Sequence, residues 1–131
     1  MTQMRVSEAA SLLGVSPDTV RRAIDAGRLT STRDEAGRTV VEGADLAALA
    51  QQQAHPADIG ALGASSARNQ LRGIVTRIVS DPVMSQVDIQ AGPFRLVSLL
   101  STEAVEEMGL EVGSVAIATV KATNVGVGVP A

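Results

Sequence analysis

One change of period governs what this chain can fold into. Up to about Gln53 the apolar residues recur mostly at helical spacing; beyond about Ser65 alternation by two dominates. A helical period buries a stripe along a cylinder, whereas a period of two buries one face of a sheet, so the two halves call for different architectures. Between them Gln51 to Ser65 (QQQAHPADIGALGAS) is small, polar and irregular, and Pro56, Gly60 and Gly63 punctuate it as a linker. His55, the only histidine, falls there and reads as a solvent-exposed linker residue. The expected organisation is therefore α+β with two domains, residues 1–53 and 65–131, joined by a linker over residues 54–64.

Composition narrows the function classes. Halves of roughly 50 and 65 residues are each marginal alone, because small domains bury a modest share of their surface, so association with further copies is expected. Phe94 is the only aromatic residue, which leaves no stacking platform for single-stranded nucleic acid. With no Cys and one His, thiolate catalysis, soft-metal sensing and an imidazole-built metal site within one chain all fall away. No phosphate-cradling G-x-x-x-x-G-K loop is present, and Glu106-Glu107 reads as the solvated face of a short helix. The chain is thus expected not to be an enzyme. No apolar run approaches the ~20 residues of a membrane helix and no secretory signal precedes the first polar segment, so it reads as cytoplasmic with no membrane partner.

In the first half, Ser7 is a candidate cap for a helix through Leu13, with Ala9, Ala10, Leu12 and Leu13 as its core positions. Gly14 ends it. Ser16-Pro17 restarts the chain, Ser as N-cap and Pro at the first helical position, and the second helix runs to about Ala26. Val20, Ala23 and Ile24 share its inner face. Two helices joined by a short Gly-containing turn form the helix-turn-helix layout. Residues 29–41 then read as a hairpin turning over Asp34 to Gly37, and a last helix (ADLAALAQQ) buries Leu46 and Leu49.

Six arginines through residue 53 face seven acids, so any DNA-binding surface must come from placement rather than from basic excess. Ser16, Asp18, Thr19 and Arg22 open the second helix, where such helices meet base edges. Arg21, Arg28, Arg33 and Arg38 read as phosphate contacts, or else as a solvated face paired with Asp18, Asp25 and Asp34. V-S-x-x-T-V-R-R at Val15 to Arg22, then D-A-G-R-L, a hairpin, and D-L-x-x-L at Asp45 to Leu49 resemble the excisionase-like and MerR-like winged helix-turn-helix family. That resemblance implies a second helix in the major groove of double-stranded DNA and a wing on the neighbouring backbone. The long dimerisation helix and cysteines of MerR-type regulators are absent from the sequence, so pairing and sensing are left to the second half.

The second half reads as a five-stranded small barrel of the oligonucleotide/oligosaccharide-binding type with one short helix. Its strands are Gln70 to Val79, Val83 to Ala91, Phe94 to Leu100, Val115 to Lys121 and Val125 to Val129. Val83, Ser85, Val87, Ile89 and Ala91 share one face. The helix, TEAVEEM, is capped by Ser101 or Thr102 and ends at Gly109.

S-A-R-N-Q-L at Ser66 to Leu71, S-T-E-A-V-E-E-M-G-L at Ser101 to Leu110 and V-K-A-T-N-V at Val120 to Val125 resemble the molbindin domain. The resemblance implies a bound molybdate or tungstate between subunits of a homo-oligomer, dimer or hexamer. Ser66, Ala67, Arg68, Lys121 and Ala122 would come from one subunit and Ser101 from its neighbour. The chemistry fits a tetrahedral dianion, whose oxygens need cations, hydroxyls and free backbone N–H groups and whose metal needs no protein ligand. Lys121, the only lysine, brings a compact charge, and Arg68 brings a forked donor. Ser66 and Ser101 bring hydroxyls, while Ala67 and Ala122 let backbone approach closely. Some family members carry a further hydroxyl where this chain has Ala104. The expected function is a molybdate-responsive, or tungstate-responsive, DNA-binding regulator. The alternative is an oxyanion storage or buffering protein whose helix-turn-helix serves mainly assembly.

Overall fold

The computed structural model describes residues 2–60 and 63–131, so positions 61 and 62 of the expected linker lie outside the described residues. The chain divides into two compact units, Met1–His55 and Pro56–Ala131.

The first unit runs β1 (Gln3–Arg5), α1 (Val6–Leu13), α2 (Pro17–Asp25), β2 (Ser31–Arg33), β3 (Thr39–Glu42) and α3 (Gly43–Gln53). The expected hairpin is the pair β2–β3, with Arg33 opposite Thr39. A third strand that the sequence does not announce, β1, pairs antiparallel on the other side of β3, Met4 facing Val41. That pairing corrects the start of the first helix. Arg5 is held extended by the sheet and takes the N-cap position without a side-chain cap, so α1 begins at Val6 rather than at Ser7. It also corrects one core position. Val6, Ala9 and Ala10 are buried with Leu13 packed against them, whereas Leu12 is 66% exposed. Positions 6, 9, 10 and 13 share one helical face, and residue 12 falls off it.

Helix α2 begins as its sequence dictates. The Ser16 hydroxyl accepts from Thr19 N at 3.2 Å, Pro17 occupies the first turn, and Val20 and Ala23 are buried. Together with Leu29, Val41, Leu46 and Leu49 these side chains make one aliphatic core. Each fully buried Val or Leu contributes about 1.5–3 kcal/mol of transfer free energy.

The second unit is one antiparallel sheet, order β6-β5-β4-β7, built from β4 (Asn69–Ser80), β5 (Met84–Ala91), β6 (Phe94–Ser101) and β7 (Val115–Val120), with α4 (Thr102–Met108) after β6. Strand β4 changes partner along its length. Asn69 to Ile74 pair with β7, and Ile74 to Ser80 pair with β5, with an irregularity between Val75 and Arg77. The sheet curls there. Gly73 marks the bend: a Cβ on it would lie 2.5 Å from the Gln90 carbonyl oxygen and 2.8 Å from Ile89 Cγ2. Val75, Val87, Ile89 and Val105 form the core of the curl, with Leu96, Leu100 and Ala118 packed on it.

Two expectations for this unit are corrected. Val83 lies outside β5 and is exposed, because Asp81 Oδ1 accepts from both Val83 N and Met84 N at 2.7 Å and makes the turn there. The fifth strand is not paired within the chain. After β7 a single 3-10 turn, Ala122–Asn124, redirects the backbone, and Val125–Val129 continues without a strand partner, Val127 94% and Val129 88% exposed.

Candidate functional site

Sheet register decides which anion candidates meet. Asn69, the first residue of β4, pairs with Val120, the last of β7, so Ser66-Ala67-Arg68 and Lys121-Ala122 leave the sheet side by side. Asn69 Nδ2 reinforces this end by donating to the Val120 carbonyl at 3.1 Å. Neither Arg68 nor Lys121 enters an ion pair among the described residues. No Asp or Glu occurs from Gly63 to Gly73 or from Val115 to Ala131, while Arg68, Arg72 and Lys121 do. Arg68 and Lys121 therefore bring two cations to this end of the sheet, suited to an anion.

The backbone contribution is narrower than the sequence implied. Ala67 is buried and its N–H already donates to Ser65 Oγ at 3.2 Å. Ala122 instead opens the 3-10 turn, whose first bond runs from Asn124 N to Lys121 O at 2.9 Å. The N–H groups of Ala122 and Thr123 precede that bond and stand where turn-opening donors face outward.

Ser101 is not part of this cluster. It ends β6 opposite Met84, beside the pairing of Ser85 with Ser80, so it lies near the far end of β4 from Asn69. Eleven residues of strand separate the two ends, a contour of roughly 35 Å at ~3.3 Å per residue. Ser101 caps α4, its Oγ accepting from Ala104 N at 3.1 Å, which leaves the hydroxyl proton available to a ligand. The N–H of Thr102 donates to Val83 O at 2.9 Å and that of Ala104 to Ser101 Oγ, so two of the first-turn amides of α4 are already engaged.

Behind Ser101 is a hydroxyl chain that the sequence did not reveal. Ser80 Oγ, Ser85 Oγ and Thr102 Oγ1 are linked at 2.7 and 2.8 Å, and Thr102 Oγ1 donates to the Asp81 carbonyl at 2.8 Å. Because the last acceptor is a carbonyl, Thr102 accepts from Ser85 and Ser85 from Ser80. The chain ties the β4–β5 turn to the start of α4. The N–H groups of Met84 and then Val83 hold the Asp81 carboxyl below the usual carboxylate range. Also unforeseen is Asp88, 4% exposed, which accepts from Gln86 Nε2 at 3.1 Å and from Arg95 Nε and Nη2 at 3.0 and 2.9 Å. The Gln86 amide and then Arg95 depress its carboxyl.

In the first unit Ser16, Asp18, Arg21 and Arg22 are exposed and Thr19 is half-buried, all at α2 and its cap. Thr19 Oγ1 sits 3.0 Å from Ser16 Oγ and accepts from Arg22 Nη2 at 3.3 Å. Arg21 pairs with Asp18 at 2.9 Å, and Arg38 pairs with Asp34 at 3.1 Å across the hairpin turn. Asp34 Oδ1 accepts from the N–H groups of Ala36 and Arg38, and the Arg38 N–H is the largest cause of its lowered pKa. Arg33 Nη1 donates to the Gly37 carbonyl at 2.7 Å. Arg28 is exposed, with no side-chain partner among the described residues. The solvated pairing expected for Arg21 and Arg38 is thus present, and both pairs are exposed, where such contacts contribute little and re-form readily. No helix among the described residues is long and apolar enough to cross a membrane, and none of their His, Cys, Asp or Glu side chains cluster in threes to hold a metal ion.

Comparison with known proteins decides the family. A model described as TOBE domain matches residues 65–127, and one described as helix-turn-helix domain matches residues 4–54. A probable molybdenum-pterin-binding protein of Haemophilus influenzae is 48% identical over 65 residues, covering 49% of this chain and 94% of that protein. The chain belongs to the molybdenum-pterin-binding (Mop) family. Its Mop-type TOBE domain is joined to a helix-turn-helix domain. The molybdenum transport protein ModE of Herbaspirillum seropedicae is 39% identical over 62 residues, 47% of this chain, but the match spans only 23% of that protein. Among solved structures, the cytoplasmic molybdate-binding protein ModG, with molybdate bound, matches with a TM-score of 0.50 at 39% identity, over 52% of this chain and 49% of that one.

Proposed function

We propose that this protein is a molybdate-responsive DNA-binding regulator, able to take tungstate at the same site. Residues 1–53 act as the DNA-reading domain, residues 54–64 as the linker and residues 65–131 as the oxyanion sensor. The observation that supports the reading is the Asn69–Val120 register, from which the acid-free segments Ser66-Ala67-Arg68 and Lys121-Ala122 leave the sheet side by side. Two cations, a hydroxyl and turn-opening N–H groups suit a tetrahedral dianion that needs donors and no metal ligand. The relatives named for molybdate and molybdenum-pterin binding support that ligand class.

A Ser101 placed far from the cluster in its own chain is accommodated when the anion sits between subunits. Ser66, Ala67, Arg68, Lys121 and Ala122 then come from one copy and the Ser101 hydroxyl from the next. Ser16, Asp18, Thr19 and Arg22 face base edges, while Arg21, Arg28, Arg33 and Arg38 take phosphates. Anion binding bridges subunits and so favours one spacing of the paired reading heads. That differential affinity is the thermodynamic requirement for a response.

The test is DNA affinity with and without saturating molybdate, on duplexes selected from a random pool. A shift of about 5-fold or more, the lower end of typical allosteric coupling, is expected. An unchanged affinity together with many tightly held anions per particle would favour storage or buffering, with the helix-turn-helix serving assembly.

A further inference from the structure

The inner face of β5 is apolar except at one position. Val87 and Ile89 belong to the core and Ala91 is buried beyond them, but Ser85, on the same face, is only 1% exposed. A buried hydroxyl is unfavourable unless it is hydrogen-bonded, and an apolar residue there would avoid that cost. Two further hydroxyls satisfy Ser85, that of Ser80 at 2.7 Å and that of Thr102 at 2.8 Å. The run ends at the Asp81 carbonyl, which accepts from Thr102 Oγ1 at 2.8 Å, so every proton in it points from Ser80 toward that carbonyl. A fully satisfied buried run of this kind is rigid, because no hydroxyl in it turns without breaking a bond.

The run reaches the residue that follows Ser101. The Thr102 hydroxyl holds the Asp81 carbonyl and the Thr102 N–H holds the Val83 carbonyl at 2.9 Å, so side chain and backbone are both fastened to the β4–β5 turn. Asp81 closes that turn: its Oδ1 accepts from Val83 N and Met84 N, and its N–H donates to Met84 O at 2.9 Å. Ser101 itself pairs with Met84 across the β5–β6 ladder. None of these bonds uses the Ser101 hydroxyl proton, which the Ala104 cap also leaves free.

We propose that Thr102, braced by Ser85 and Ser80, is a positioning residue that fixes the Ser101 hydroxyl for the bound oxyanion. The inference rests on the reading of Ser101 as an anion donor to a neighbouring copy and deepens it. A ligand hydroxyl has to be held within roughly 0.5 Å of its productive place by its supporting shell. The cap bond ties Ser101 only to its own helix, whereas the braced turn ties it to β4 and β5.

Calorimetric titration of the full chain with molybdate, paired with thermal melts, tests this role. Thr102→Val removes the oxygen at similar shape, and a loss of about 5-fold in affinity is expected, the share of one net hydrogen bond. Thr102→Ser, which keeps the oxygen, is expected to restore the affinity. A double-mutant cycle separates positioning from general stability. In a Ser101→Ala background, where Arg68 and Lys121 still hold the anion, Thr102→Val is expected to lower the melting temperature but not the affinity. An equal loss of affinity in both backgrounds overturns the proposal, since Thr102 then does not act through Ser101. So does a folded Thr102→Val chain with unaltered binding. If Thr102→Val fails to fold, Ser85→Ala replaces it in the same cycle, judged by the same outcomes, because it leaves the Thr102–Asp81 bond in place. An unaltered chain that takes up no molybdate removes the anion reading and this inference together. Binding weakened by Ser101→Ala but not by Thr102→Val removes this inference alone.

Discussion

The side-chain amide of Asn69 donates to the backbone carbonyl of Val120 at 3.1 Å, locking the first residue of β4 to the last of β7. Through that bond two segments more than fifty residues apart in sequence bring Arg68 and Lys121 to the same end of the sheet. Replacing Asn69 by Ala should cost about 1 kcal/mol of stability, the net worth of one such hydrogen bond. It should weaken molybdate binding by more than that loss of folding accounts for. Thermal melts paired with calorimetric titration check both.

Ser101 combines a structural and a proposed binding role that substitution can separate. Ser101→Ala removes the α4 cap and should cost about 1 kcal/mol, while Ser101→Asp keeps an accepting oxygen for Ala104 N and should preserve stability. Because the new carboxylate repels a dianion, Ser101→Asp should still abolish molybdate binding. A stable Ser101→Asp protein that binds molybdate normally would remove Ser101 from the site.

Gly73 allows the closest backbone approach in the second unit. Gly73→Ala sets a methyl carbon 2.5 Å from the Gln90 carbonyl oxygen, so β4 and β5 must separate. A loss of about 1–3 kcal/mol is expected, the usual range for overpacking. It should appear as a lower denaturation midpoint of the second unit, with the first unit's helix content retained.

Acid should destabilise this protein through three carboxylates. Asp34, Asp81 and Asp88 all have folded-state pKa values lowered by hydrogen-bond donors, so each binds protons less readily folded than unfolded. Their stabilisation is complete above the unfolded carboxylate pKa of about 3.9 and is lost as pH falls through the lower folded values. Melting temperature should be flat with respect to these groups at neutral pH and should fall below about pH 4. The combined variant Asp81→Asn and Asp88→Asn should be less stable at neutral pH and show a shallower acid decline.

On the proposed DNA face, Arg22→Ala should relax sequence discrimination, reducing the preference for a selected duplex over random DNA by about 1–3 kcal/mol. Arg38→Ala should instead weaken binding to all duplexes alike and lower the salt slope by about one. Binding isotherms at several salt concentrations distinguish the two effects.

Much of the fold was legible because its signals are local. Ser16-Pro17 caps α2, Ser101 and Gly109 bracket α4, and the period-two runs mark β4 to β7. The misses are non-local or too short for a period to register. Three residues of β1 cannot show alternation, yet their pairing with β3 moves the start of α1 from Ser7 to Val6. Val125–Val129 has strand chemistry but no strand partner in its own chain, a fact that depends on where the sheet edges lie. Gly73 looked like any strand glycine until the curl brought Gln90 against it. The residues proposed for the anion were visible as chemistry, but only the family resemblance implied that they share a site, since their approach follows from the Asn69–Val120 register rather than from spacing. Asp88 with Arg95, seven residues apart, could have been suspected from opposite charges on neighbouring strands.

The most direct test is isothermal titration calorimetry of the full chain with molybdate, with sulfate as control and Lys121→Gln as the matched variant. Strong heat with molybdate, little with sulfate and a loss of at least 10-fold in affinity for Lys121→Gln is the predicted result. No heat with molybdate, or equal binding by the folded Lys121→Gln chain, would contradict the oxyanion site at the β4–β7 end.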